Sequence, residues 1–119
     1  MRAGEYDDKI GFTNGYLVYF IPKELNPFNL EAFKQIDFHE VLKSTAVPYE
    51  LKDTGYVREY KKDKLRVFEK HDGKKTYVNQ KLLTHFKDCK YEQAGDYSPV
   101  FIYKYGELQG LAFPVMIKD

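Results

Sequence analysis

At 119 residues, with 43% hydrophobic and 31% charged side chains, the chain is long enough for one hydrophobic core and too apolar for intrinsic disorder. Its 19 Lys plus Arg against 18 Asp plus Glu leave a net charge of +1, which excludes a surface given over wholly to nucleic acid but not a local basic face. A single cysteine, Cys89, excludes an internal disulfide; no apolar run nears the ~20 residues of a membrane span, and the opening MRAGEYDDKI is too polar for a secretory signal, so the expectation is one cytoplasmic domain over 1–119 with residues 1–8 loose.

Aromatics reach 17%, all of them Tyr and Phe, and these favour pleated, half-buried surfaces. The first predicted element is a hairpin in which Asn14-Gly15 parts IGFT from YLVYFIP; such a dipeptide suits a type I′ turn, which needs positive φ. NPFNLEAFKQIDFHEVLKS follows and reads as a helix or helix pair. Asn26 caps it with Pro27 at the first helical position, Leu30, Phe33 and Ile36 recur at helical spacing, and Asp37 caps a second short helix carrying Val41 and Leu42. Pro48 then turns the chain toward extended structure.

VREYKKDKLRVFEK and KKTYVN read as strands, with Asp72-Gly73 as a second hairpin turn. NQKLLTHFKDCK reads as another helix, with Asn79 as cap, Leu82, Leu83 and Phe86 as buried stripe, and Lys81, Lys87 and Lys90 outside it. Tyr105-Gly106-Glu107 separates SPVFIYK from LQGLAFPVMI as a third hairpin. In the last strand Leu111, Phe113, Val115 and Ile117 share one face and Ala112, Pro114 and Met116 the other, so both faces should be covered. Pro114, lacking an N–H, predicts an edge, a bulge or a break there. The fold class expected is α+β, mostly antiparallel sheet with two helical segments.

Chemistry is sparse. The eight glycines form no phosphate-binding loop, and His39, His71 and His85 lack metal-type spacing. Nothing around Cys89 resembles a nucleophile turn, and Asp7-Asp8 reads as a solvated acidic pair. Arg58, Lys61, Lys62, Lys64 and Arg66, with Tyr56, Tyr60 and Phe68, could meet phosphates and bases, but Glu59, Asp63 and Glu69 interleave with them, as on an exposed hairpin of mixed charge. No catalytic residue, metal site or cofactor is expected.

YVNQKLLTHF, DYSPVFIY and GLAFPVMI stand in an order and spacing that resembles the C-terminal domain of the bacterial sliding clamp, the β subunit of DNA polymerase III, from Tyr77 to Lys118, roughly a third of the chain. FTNGYLVYFIP is similar to a strand entry of that family, whereas the helical segment after it departs from the pattern. The resemblance implies β-α-β-β-β modules and a peptide groove at Phe113, Pro114 and Val115, with Tyr97 and Pro99 from the Ser-Pro strand and Leu82 where the family commonly has Tyr; Met116 stands in place of a basic residue. It further implies DNA-facing cations at Lys81, Lys87 and Lys90 on the late helix and at Lys34 and Lys43 on the early one.

The expectation is therefore a non-enzymatic clamp-like interaction protein, an accessory or modulator of DNA replication that binds a polymerase or clamp peptide or duplex DNA. The alternative is an unrelated α+β protein-interaction or assembly module. A protein or peptide partner is common to both. Apolar edge strands also invite a homo-oligomer, and no membrane partner is expected.

Overall fold

The computed structural model describes residues 1–42 and 48–117. Its regular elements are β1 (Arg2–Tyr6), β2 (Lys9–Thr13), β3 (Leu17–Pro22), β4 (Lys34–Gln35), α1 (Phe38–Val41), β5 (Tyr49–Tyr60), β6 (Asp63–Glu69), β7 (Lys75–Asn79), β8 (Lys90–Gln93), β9 (Val100–Lys104) and β10 (Glu107–Ala112). The strands form one sheet in the order β4-β1-β2-β3-β10-β9-β8-β5-β6-β7, antiparallel throughout except for β4 against β1. Among the described residues no helix is long and apolar enough to cross a membrane. Residues 1–8, expected as a loose terminus, contain β1, whose Ala3 is fully buried.

The α+β expectation, with two helical segments and β-α-β-β-β modules, is overturned. The early segment breaks into 3-10 turns at Lys23–Leu25 and Leu30–Ala32, the edge strand β4 and the four-residue α1. Its apolar residues are drawn to opposite faces of β2: Phe33 meets Phe12 edge-on at 5.4 Å, while Ile36 and Phe38 pack on the side of Gly11 and Phe20. A single helix stripe cannot serve both. Asp37 does cap α1, accepting from the Glu40 N–H, but Asn26 closes the first 3-10 turn rather than opening a helix.

The late segment is one 3-10 turn, Gln80–Leu83, with Asn79 Oδ1 accepting from the Lys81 N–H at 3.0 Å. Leu83 and Phe86, three apart, both enter the core, and the Phe86 N–H donates to the Leu83 carbonyl at 3.0 Å. One turn with an eclipsed three-residue repeat places both side chains and needs no continuation.

All three hairpins form, with differing turn chemistry. At Asn14-Gly15 and Asp72-Gly73 only the glycines have positive φ, so neither is type I′; the second is a three-residue loop closed by Gly73 N–H to the Lys70 carbonyl at 3.0 Å. Between β9 and β10, Tyr105 (φ 53°) and Gly106 (φ 78°) are both left-handed, the type I′ pattern. Tyrosine there is strained, because only Gly, Asn and Asp enter that region at low cost.

Closure of the sheet depends on the segment after Ala112. Phe113 N–H donates to the Tyr16 carbonyl before β3 at 3.1 Å, and Val115 N–H donates to the Tyr77 carbonyl in β7 at 2.8 Å. Pro114 lies where the chain leaves one partner for the other, and the regular strand ends at Ala112. The far strand β7 is thereby brought back to the middle of the sheet. Leu51, Phe68, Val78, Tyr91, Val100, Ile102 and Ala112, one or more from each strand between β5 and β10, accordingly share a single core with Leu83 and Phe86. β5 passes from β8, which pairs with Tyr49, Glu50 and Leu51, to β6, and an irregularity between Asp53 and Val57 interrupts the β6 pairing, with Thr54 Oγ1 donating to the Val67 carbonyl at 2.7 Å.

A second, smaller core holds α1 to the first three strands. Phe38, 1% exposed, lies over Gly11, and Ile36 lies over Gly4, the register partner of Gly11 in β1. A Cβ on Gly11 would stand 2.7 Å from the Phe38 ring and 2.9 Å from Phe20, and one on Gly4 would collide with the Ile36 carbonyl. Gly110 likewise leaves room for Phe86 at the β10 bulge, where a Cβ would lie 2.5 Å from the Val18 carbonyl oxygen.

Two substitutions with opposite signs check these assignments by urea denaturation. Gly11→Val should lower stability by about 1–3 kcal/mol through overpacking against Phe38. Tyr105→Asn should raise it by up to about 1 kcal/mol by relieving the left-handed strain. A neutral or stabilising Gly11→Val would contradict the packing described.

Candidate functional site

An apolar concavity of about 480 Å³ opens beneath α1 between the Asn14-Gly15 turn and the start of β4. Its floor is Val18, Phe38 and Leu111, all buried, and Ile36, Leu42 and Phe113 wall it. Register explains the floor: Val18 pairs with Leu111 across β3 and β10, on the same face as Phe20 and Gly11. Arg2 and Lys34 also line it, and they too are register partners, in β1 and β4.

The six residues expected as one peptide groove are divided. Phe113 enters the Phe38 pocket, whereas Tyr97, Pro114 and Val115 line a separate cleft of about 200 Å³ against β7. Leu82 is partly buried against the main core, and Pro99 lines neither cavity among the described residues. The handover at Pro114 causes this separation: residues on either side of it belong to different sheet neighbours. Sequence reading missed Arg2, Val18, Ile36 and Phe38 as site residues. The cap at Asp37 marks where Phe38 begins α1, but only register brings it over Gly11.

The four expected DNA cations among the described residues share no helix. Lys34 is on β4, Lys81 is in the 3-10 turn, Lys87 is beside Phe86, and Lys90 begins β8. Lys43 lies outside the described residues. On the β5–β6 arm, Arg66 binds Asp53 at 2.7 Å, Arg58 stacks over Tyr77 at 5.5 Å and donates to its hydroxyl at 3.4 Å, and Phe68 is fully buried. These three are structural, and Lys62 and Lys64 are exposed near the tip.

Neither the histidines nor the thiol assemble a reactive site. His39 lies 3.8 Å from Asp7 and stacks beside Tyr6, His71 meets Tyr49 edge-on, and His85 lies by Tyr19. No group of three or more His, Cys, Asp or Glu side chains converges among the described residues. Burial pushes the Cys89 thiol up, with Lys104 opposing that shift and Asp88 adding to it, which is the reverse of what activates a nucleophile. Burial likewise raises the Tyr19 phenol, whose ring stacks on Phe86 at 5.1 Å.

The cleft beside Tyr97 is held by a polar tie. Lys70, buried, donates to Asp96 Oδ1 at 2.5 Å; fully buried Gln93 accepts from Thr76 Oγ1 and donates to the Ser98 carbonyl, both at 2.9 Å. Together they fix the 94–98 loop to β7 and β8. No protein-family model, no curated protein and no solved structure matches the chain.

Lys70, through its hydrogen bond and then its charge, holds the Asp96 carboxyl below the ordinary aspartate range. The tie therefore contributes stability that is present above the unfolded aspartate value near 3.9 and is lost as pH falls through the depressed folded value. Urea midpoints followed from pH 7 into acid should fall in that window, and Asp96→Asn should be weaker at pH 7 and less acid-dependent. An unchanged acid profile in Asp96→Asn would show that the tie adds no acid-dependent stability.

Proposed function

We propose that the protein acts by binding, not by catalysis, and that it holds an apolar segment of a protein partner in the pocket beneath α1. The observation that carries this reading is the pocket itself, half-enclosed and floored by Val18, Phe38 and Leu111, with Phe113 in its wall. Among the described residues its only titratable side chains are Arg2 and Lys34. A guanidinium and an ammonium at the rim of an apolar floor suit recognition of an opposite charge. A volume of about 480 Å³ falls within the range of sites that enclose small ligands or one or two bulky side chains.

This is the interaction-module reading, stripped of its α+β architecture. The replication role drew on a resemblance of short motifs whose implied β-α-β-β-β modules do not occur among the described residues, so no replication partner is named; the dispersed lysines likewise lend no weight to duplex DNA as the partner.

The neutral capped dipeptide N-acetyl-Leu-Leu-amide, titrated into labelled protein, should shift the amide resonances of Val18, Ile36, Phe38 and Leu111. Phe113→Ala should weaken the interaction by about 1–2 kcal/mol, and Pro99→Ala should leave it unchanged. Shifts that cluster elsewhere, or that survive Phe113→Ala at full strength, would sink the pocket reading.

A further inference from the structure

The pocket mouth carries one sign of charge. Arg2 and Lys34 both line it, and no Asp or Glu does so among the described residues. Several cations elsewhere meet acids, Lys9 with Glu107 at 3.0 Å, Lys23 with Glu5 at 3.3 Å, Lys70 with Asp96 at 2.5 Å and Lys75 with Glu69 at 3.1 Å, while others such as Lys62 and Lys64 project from the exposed β5–β6 tip and line no apolar pocket. Arg2 instead donates to the Gln35 carbonyl at 3.4 Å, and neither it nor Lys34 meets a carboxylate among the described residues. In a chain of net charge +1, two cations without acid partners over an apolar floor are a local asymmetry.

The same mouth adjoins a strand edge. β4 is outermost in the sheet and pairs as a strand only with β1 among the described residues, with Gln35 Nε2 donating back to the Leu30 carbonyl at 3.0 Å, so no strand covers its other edge and an extended chain can add there. Lys34 and Ile36, at the end of this edge, point into the pocket lining.

We infer that the occupant is an extended acidic peptide segment of a partner. One bulky apolar side chain seats against Phe38, Leu111 and Phe113, while Asp or Glu residues one or two positions away meet Arg2 and Lys34. The segment's backbone runs along β4. This inference rests on the pocket reading and adds to it the partner's charge and conformation. The carboxylates select the partner and orient it, since ion pairs at a rim contribute more to specificity and encounter than to affinity. The free edge favours a peptide over a fatty acid, because a hydrocarbon chain has no backbone groups with which to extend the sheet.

The test is a random heptapeptide display library selected on the full chain, followed by affinity measurements with the best synthetic peptide. Enriched sequences should carry Asp or Glu within two positions of a Leu, Ile, Phe, Tyr or Trp. The synthetic peptide should bind more weakly as sodium chloride is raised, and about fivefold or more weakly to Lys34→Glu. Val41→Asp, at a half-exposed pocket position outside the core, should weaken it too, which covers the case of a Phe113→Ala chain that fails to fold. Apolar sequences without acid enrichment, bound equally by Lys34→Glu, would overturn the charge assignment and leave the pocket standing. No enrichment, or enrichment insensitive to both Val41→Asp and Phe113→Ala, would overturn both. Saturable binding of dodecanoate in place of any peptide would overturn the peptide assignment in favour of an amphiphile.

Discussion

The handover at Phe113-Pro114-Val115 is the constraint on which the rest of the structure depends. A ten-stranded sheet, antiparallel but for β4, has two edges and needs something to cover its inner face. By donating to Tyr16 with one N–H and to Tyr77 with the next available one, the chain ties the middle of the sheet to its last strand. The residue between them is the one that has no N–H to leave unsatisfied. This closure lets Phe68, Val78 and Ile102 face one another in a single core, and it places Phe113 on one side of the step and Val115 on the other. Core and site therefore share one cause.

Within that frame, glycine takes the place of a side chain where large rings must approach a strand. Phe38 rests over Gly11, and Phe86 over Gly110. Each arrangement brings a non-sheet segment down onto the sheet without a deep groove being cut in it. The cost is borne locally, since glycine weakens a strand, and it is offset by burying a whole aromatic ring, worth about 1.5–3 kcal/mol relative to exposure. The strained Tyr105 turn has no such offset: its side chain is 94% exposed and meets only Lys104, at 5.7 Å.

Most turns and strands were legible in the sequence because they are local, β1 and β4 being exceptions. The three hairpins fell where glycine follows Asn, Asp or Tyr, and Pro114 marked a strand end. The two helices were misread because three-residue spacing of apolar residues is a necessary mark of a helix stripe and not a sufficient one. Phe33 and Ile36 go to opposite faces of β2, and Leu83 and Phe86 are satisfied by a single turn. What separates these cases from a helix is where the receiving surfaces lie, and those surfaces are strands distant in sequence. The same holds for the site. Phe113 was readable as an apolar residue beside a proline, but the pairing of Arg2 with Lys34, and of Val18 with Leu111, exists only once β4 has docked on β1 and β10 on β3.

The two ends of the sheet are treated differently, and this bears on association. The β7 edge receives Val115 and is overlain by the residues after Pro114, so a partner strand could add there only by displacing them. The β4 edge is short and open and carries cations. Two copies meeting β4 to β4 would bring Arg2 and Lys34 of each toward those of the other, a like-charge juxtaposition that opposes symmetric pairing. The same charges that resist a second copy favour a partner strand of opposite sign. Edge protection and partner selection are then one device: a two-residue strand too short to recruit strands indiscriminately, beside a pocket that accepts an apolar side chain and a rim that sorts by charge.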